Sequence, residues 1–155
     1  MRLFIMRHGE AEPYNTSDEA RNLTIYGRSQ AQQAGIWLKQ EYDQIDMALV
    51  SPFVRAKQTL ESIQQFVDVG RVEINTDITP CGNPSLVHDY VDVLLNEHSD
   101  VKSLLLVAHM PIVSFLLDEF CKSNQAALFG TASIFSVDYD VSISRGMPGS
   151  IFFPD

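Results

Sequence analysis

Arg7, His8, Arg55 and His109 are the side chains of this sequence best suited to chemistry, because two guanidiniums and two imidazoles sharing one pocket would hold a phosphate. Each follows a short apolar run. Residues 3–6 end at Arg7-His8-Gly9-Glu10, residues 47–50 end at Ser51-Pro52 with Arg55 one turn on, and residues 104–107 lead into His109-Met110-Pro111. Alone, each motif is weak. A strand-terminal histidine is commonly just a satisfied hydrogen-bonding group, and an arginine in the first turn of a helix is usually exposed and sits at the unfavourable end of the macrodipole. An anion bound at that helix N-terminus turns the second objection into support.

The elements around these residues are those of an α/β fold. The runs at 3–6, 47–50 and 104–107 are continuous rather than alternating, which marks strands buried on both faces of a parallel sheet. Thr24 caps a helix running to about residue 42, with Ala31, Ala34, Trp37 and Leu38 inward. Ser51 is expected as an N-cap and Pro52 as the first helical residue of a helix to about residue 67, with Ala56, Leu60, Ile63 and Val67 on its inner face. A weaker strand is expected over 72–75, then a turn-rich loop at 79–84 and a helix with Val87, Val91, Leu94 and Leu95 inward. A further helix should run from Pro111 to about residue 120, and the tail at 132–153 reads as one or two strands. Strands alternating with helices predict a three-layer sandwich, a mostly parallel sheet between helices. In such a sheet the ligand crevice lies outside the carboxyl ends of the strands, where the three motifs would meet.

Composition narrows the function classes. With 155 residues, 45 % hydrophobic and 20 % charged, the chain is expected to form one domain over 1–155 with no separate lid or cofactor domain. Eleven basic against twenty acidic residues give a net charge of −9, a field that repels polyanions, so no nucleic-acid partner is expected. An anionic ligand must then be captured by a local positive pocket. Cys81 and Cys121 lack metal-ligand spacing and read as free thiols of a reducing compartment. The N-terminal apolar run is too short for a signal peptide or a span, so a cytoplasmic monomer without membrane association is expected. His88 and His98, ten residues apart, form no metal pair and are expected at the surface. Phe152 and Phe153 read as terminal strand core.

The residues also carry a family resemblance. Arg7-His8-Gly9 at the end of the first strand resembles the RHG signature of the histidine phosphatase superfamily, and Ser51-Pro52-x-x-Arg55-Ala56-x-Gln58-Thr59 is similar to its second motif. His109 after a Leu/Val strand looks like its second histidine, and Thr131-Ala132-Ser133-Ile134 resembles the motif on its last strand. The chain length, the run Asp18-x-x-Arg21-x-Leu23-Thr24-x-x-Gly27 and the loop Thr79-Pro80-Cys81-Gly82 are closest to the SixA-type phosphohistidine phosphatases. The resemblance implies a phosphoglycerate mutase-like fold and a metal-independent phosphatase without cofactor. In it His8 is the nucleophile, Arg7, Arg55 and His109 hold the transferring group, and Asp18 and Arg21 lie at the substrate-binding rim. Histidine chemistry supports this independently: neutral imidazole can attack phosphorus in line and form a phosphohistidine that water hydrolyses.

One departure from the wider superfamily bears on the substrate. Its mutases and broad phosphatases typically carry a glutamate in the loop after the third strand, which protonates a leaving alkoxide; here that stretch is Ile78-Thr79-Pro80-Cys81-Gly82. An imidazole, with a pKa of about 6.5, leaves without such an acid far more readily than an alcohol. The expected substrate is therefore a phosphohistidine on a partner protein, such as a histidine-containing phosphotransfer domain, met through a basic collar or an uncharged face. A small-molecule phosphoesterase or pyrophosphatase, and a phosphate-binding module without turnover, stay open. Asp18 is the first candidate for a proton donor should one exist, and Glu10 could hold an arginine or touch substrate.

Overall fold

The computed structural model describes residues 1–155. Its centre is a six-stranded sheet of β1 (Arg2–Arg7), β2 (Gln44–Val50), β3 (Asp68–Ile74), β4 (Ser103–Ala108), β5 (Ile134–Asp140) and β6 (Arg145–Phe152), in the spatial order β3-β2-β4-β1-β5-β6. The first four strands are mutually parallel, and β5 and β6 join antiparallel. Helices α1 (Ile25–Tyr42) and α2 (Val54–Gln64) cover one face, and α3 (Pro84–Glu97) and α4 (Ile112–Cys121) cover the other.

The continuous apolar runs follow from this layering. Along β1, Leu3 and Ile5 enter the core beneath α3 and α4 with Leu94, Leu116 and Phe120, while Phe4 and Met6 enter the other with Ala34, Leu38, Ala56 and Ile63. A strand whose side chains alternate between two dry cores must be apolar at every position. Register then sets the site. Arg7 is level with Ala108, and Val50 with Val107, so β1, β2 and β4 end together. The ladder continues one step past the strands, with His8 N–H donating to Ala108 C=O at 2.9 Å and Ser51 N–H to Val107 C=O at 3.1 Å. Arg7, His8, Ser51 and His109 are thereby delivered to one edge.

Several expectations are corrected in detail. Helix α2 starts at Val54 after Phe53, which makes no side-chain cap, so Ser51-Pro52 lies before the helix rather than opening it. It ends at Gln64, although Val67 just beyond remains buried. Strand β3 begins at Asp68, four residues before its expected start, because an exposed edge strand needs no apolar pattern where it pairs with Gln44 and Ile45. The tail forms two strands; Phe152 stacks on Trp37 at 5.4 Å, whereas Phe153 is exposed.

His88 is the clearest reversal. It is buried, with Nδ1 3.1 Å from Glu119 Oε1 and Nε2 2.8 Å from the Tyr139 hydroxyl and 2.9 Å from Ser144 Oγ. Asp92 accepts from both Tyr139 and Ser144, closing a network that ties α3 and α4 to the β5–β6 hairpin. His98 does stay at the surface, where Arg71 donates to its Nδ1. Cys81 is exposed and Cys121 buried, both as free thiols. No helix is long and apolar enough to cross a membrane.

Candidate active site

A pocket of about 340 Å³ opens where β1, β2 and β4 end, and Arg7, His8, Asp18, Arg21, Arg55 and His109 all line it. Every site residue expected from sequence is thus brought together. The peptide after His8 is fixed by close packing: Gly9 lies so near the Gly27 carbonyl that an added Cβ would stand 2.5 Å from it, and Gly9 N–H donates to Thr59 Oγ1 at 3.0 Å. Only glycine permits that approach, which explains why Arg7-His8 must be followed by one.

His8 has a defined tautomer. Its Nδ1 lies 2.6 Å from the Gly9 carbonyl, which only accepts, so Nδ1 carries the proton and Nε2 keeps its lone pair. Arg55 Nε–H donates to that lone pair at 3.2 Å. Burial lowers the His8 pKa to about 4; the bond to Gly9 opposes this, and Arg55, Arg7 and Arg21 add to it. The ring is therefore neutral at pH 7, the state a nitrogen nucleophile needs.

His109 faces His8 with ring centroids 5.0 Å apart. Its Nε2 lies 2.7 Å from Ser51 Oγ, which also accepts the Phe53 N–H at 3.2 Å. Its Nδ1 is buried and without a partner, and it carries the ring proton in the tautomer in which the Ser51 hydroxyl donates to Nε2. Burial, then His8 and the arginines, lowers the His109 pKa to about 2, so without an anion this ring too is neutral. Arg7 anchors one terminal nitrogen on the Phe129 carbonyl at 2.8 Å, and its buried Nε is likewise unpartnered. Burial, then Arg55, lowers the Arg7 pKa. An orphaned buried N–H of Arg7 and an unpartnered ring nitrogen of His109 beside converging guanidiniums mark a place where an oxyanion belongs, since such groups are costly to leave unpaired.

Arg55 is buried in the first turn of α2 and lines the pocket, where an arginine at that helix position is ordinarily exposed. It donates to the Asp18 carbonyl at 2.7 Å and to the Asp18 carboxylate at 3.3 Å, and its guanidinium stands 5.0 Å over the Phe53 ring. Arg21 donates to the same carboxylate at 3.0 Å and to the Glu12 carbonyl at 2.9 Å. Burial works to raise the Asp18 pKa, but the charges and hydrogen bonds of Arg55 and Arg21 outweigh it and hold the carboxyl below its ordinary value. Asp18 is accordingly ionised and fixes two arginines, a state unsuited to proton donation. Glu10 lines the pocket but accepts from Thr24 Oγ1 at 2.9 Å rather than from an arginine. Pro80 is the contribution of the 79–82 loop to the wall.

Sequence reasoning did not find the groups that hold these side chains. The carbonyls of Phe129 and Asp18 leave no trace in residue type, and Ser51 carried a signal that its place before Pro52 turned toward helix capping. No group of three or more His, Cys, Asp or Glu side chains is placed to hold a metal ion.

The comparisons with known proteins agree with this geometry. Residues 3–79 match the family model of the histidine phosphatase superfamily, branch 1. The chain is 39 % identical over 143 residues to the phosphohistidine phosphatase SixA of Escherichia coli K12, covering 92 % of this chain and 88 % of that one. It is 41 % identical over 148 residues to the phosphohistidine phosphatase SixA homolog of Haemophilus influenzae, covering 90 % and 89 %. The solved structure of the protein histidine phosphatase SixA with tungstate superposes with a TM-score of 0.93 at 37 % identity, over 99 % of this chain and 97 % of the other. The three-layer architecture expected from sequence is the one these relatives share, and the chain belongs to the histidine phosphatase superfamily, in its SixA group.

Proposed function

We propose that this protein is a phosphohistidine phosphatase, a single domain over residues 1–155 that removes phosphate from a histidine of a partner protein through a covalent intermediate on His8. The observation that carries the reading is the lone pair of His8 Nε2 facing a pocket in which the buried Arg7 Nε–H and the buried His109 Nδ1 lack partners. The relatives named above supply the substrate class, and the tungstate bound by one of them is a tetrahedral oxyanion like phosphate.

The phosphoryl oxygens take the orphaned donors of Arg7 and His109 and the Nε–H of Arg55, which moves off His8 as the anion enters. His8 Nε2 attacks phosphorus in line, the bond to the substrate imidazole breaks, and its electron pair returns to that ring, which departs neutral if already protonated on its other nitrogen. Water then attacks phosphorus and the bond to Nε2 breaks, so that His8 recovers its lone pair with Nδ1 still protonated, while the phosphate leaves with the water's oxygen and protons, the latter passing to solvent as its ordinary acidity dictates. Guanidiniums and imidazole N–H groups fixed before the reaction supply the charge stabilisation that dominates such transfers. Of the two carboxylates lining the pocket, Asp18 is held ionised by two arginines and Glu10 accepts from Thr24, an arrangement that suits a phosphoramidate better than an alkyl ester.

The site lies open at the sheet edge, as a phosphohistidine carried by another protein requires. We read the enzyme as a cytoplasmic protein on the strength of its free thiols, as a monomer, and as independent of metal because arginines and histidines supply the charge at the pocket. The test is turnover of a phosphohistidine protein beside nucleotide and sugar phosphates on one preparation. Preference for the phosphohistidine protein supports the proposal, and preference for nucleotides or sugar phosphates overturns it.

A further inference from the structure

Beside the phosphate pocket lies a second hollow of about 460 Å³, lined by Pro13, Tyr14, Asn15, Ser17, Asp18 and Arg21. Asp18 and Arg21 line both, so the two form one depression divided by that ion pair. The other large hollows lie around Met1, Gln44 and Asp140, at the opposite end of the sheet.

The segment forming this second hollow is fastened at several points. Ala11 bridges Leu23, Glu12 N–H donates to the Asn22 carbonyl at 2.8 Å, and Ser17 Oγ accepts from Ala20 N–H. Arg55 and Arg21 hold Asp18 and the Glu12 carbonyl from the pocket side. Tyr14 nevertheless stands 85 % exposed at the tip. Exposure alone would assign nothing, since single exposed apolar side chains are common. A ring carried by a loop whose backbone is fastened on both sides, over a hollow that shares the Asp18–Arg21 pair with the phosphate pocket, is a contact surface whose backbone is ordered before it is covered.

Charge states what should cover it. Between Gly9 and Ala20 the sequence contains Glu10, Glu12, Asp18 and Glu19 and no lysine or arginine. Asp18 is neutralised by Arg21 and Arg55; Glu10, which lines the phosphate pocket, and Glu19 are exposed, and Glu12 is half-buried, so the segment bordering both hollows carries uncompensated negative charge. The phosphohistidine belongs to a polypeptide, so the chain on either side of it must leave the pocket of about 340 Å³ over its rim.

We infer that the Tyr14 hollow receives the residues flanking the partner's phosphohistidine, with an apolar side chain against the Tyr14 ring and a lysine or arginine answering Glu12 and Glu19. The inference rests on the phosphohistidine reading above. It makes Tyr14 and Glu19 specificity-determining residues outside the reacting centre.

Three peptides phosphorylated chemically on histidine test it, one flanked by leucine and lysine, one by alanine only and one by leucine and glutamate, with p-nitrophenyl phosphate as the small substrate. The wild-type enzyme is expected to rank kcat/KM in that order. Tyr14→Ala should lose about tenfold on the leucine-lysine peptide, mainly in KM, and nothing on p-nitrophenyl phosphate, while Tyr14→Phe keeps the wild-type value. Glu19→Gln should narrow the gap between the lysine and glutamate peptides. Equal loss on the peptide and on p-nitrophenyl phosphate, or no loss on either, overturns the docking inference. If the wild type hydrolyses p-nitrophenyl phosphate and none of the three peptides, the phosphohistidine reading itself fails.

Discussion

The Nε–H of Arg55 donates to Nε2 of His8 at 3.2 Å, so the nitrogen expected to attack phosphorus is already held by the cation expected to bind phosphate. The contact agrees with the tautomer set by the Gly9 carbonyl and adds to burial in keeping the ring unprotonated, and an entering anion must exchange it for a phosphoryl oxygen. Arg55→Lys is expected to lower kcat/KM by about 10²-fold or more, because an ammonium cannot reproduce a guanidinium that binds Asp18 and His8 from different nitrogens. Steady-state kinetics on p-nitrophenyl phosphate measure this, and a loss below threefold would contradict the role given to Arg55.

The two site histidines make stability depend on pH. Both folded pKa values lie below the ordinary histidine value, so the unfolded chain binds protons more readily as pH falls. Stability is therefore full above about pH 6.5 and declines as pH drops toward 4, by about 1.4 kcal/mol per pH unit for each histidine. Urea unfolding across that range should show the decline, and saturating inorganic phosphate should reduce it by favouring the charged rings. A profile flat from pH 7 to 4.5 would show that the rings are not buried neutral.

The buried His88 network lies at the far end of the sheet, where β5 passes Met1, and touches none of the pocket residues. His88→Ala removes the centre of a cluster joining Glu119, Tyr139, Ser144 and Asp92 and should cost about 2 to 4 kcal/mol. Chemical denaturation reads the loss, and kcat/KM of the folded variant should equal that of wild type. A loss under 0.5 kcal/mol would mean that solvent replaces those bonds.

The same histidine shows where sequence stops being informative. The apolar runs of β1, β2 and β4 could be read because a strand between two cores has no polar position, and the site could be read because parallel register makes those strands end level. His88 stands three residues before Val91 and seven before Leu95, on the inner face of α3, but its residue type reads as polar surface, and apart from Asp92 the partners that satisfy it come from 31 and more residues away. Strand β3 was misjudged at its start because backbone pairing at an exposed edge holds residues of any type. Ser51 shows a third limit: its hydroxyl serves His109, a partner that only the fold supplies.

Leaving-group dependence separates phosphoramidates from esters. Asp18 is ionised between two arginines and Glu10 is bound to Thr24, so the pocket offers no evident acid. Alkyl phosphates should react about 10²- to 10⁴-fold more slowly than phosphohistidine or aryl phosphates, the range a general acid typically supplies. Equal kcat/KM for a phosphohistidine peptide, p-nitrophenyl phosphate and an alkyl phosphate would show that a donor exists, and Glu10→Gln would then be the variant to examine.

The covalent step on His8 is the most direct test of the whole account. Rapid quench of enzyme with labelled phosphohistidine peptide is expected to trap an acid-labile, alkali-stable phosphoenzyme, mapped to His8 by peptide analysis. His8→Ala should abolish both the adduct and turnover while inorganic phosphate still binds through Arg7, Arg55 and His109. Label recovered on His109 or on a serine, or turnover retained by His8→Ala, would contradict the assignment of His8 as nucleophile.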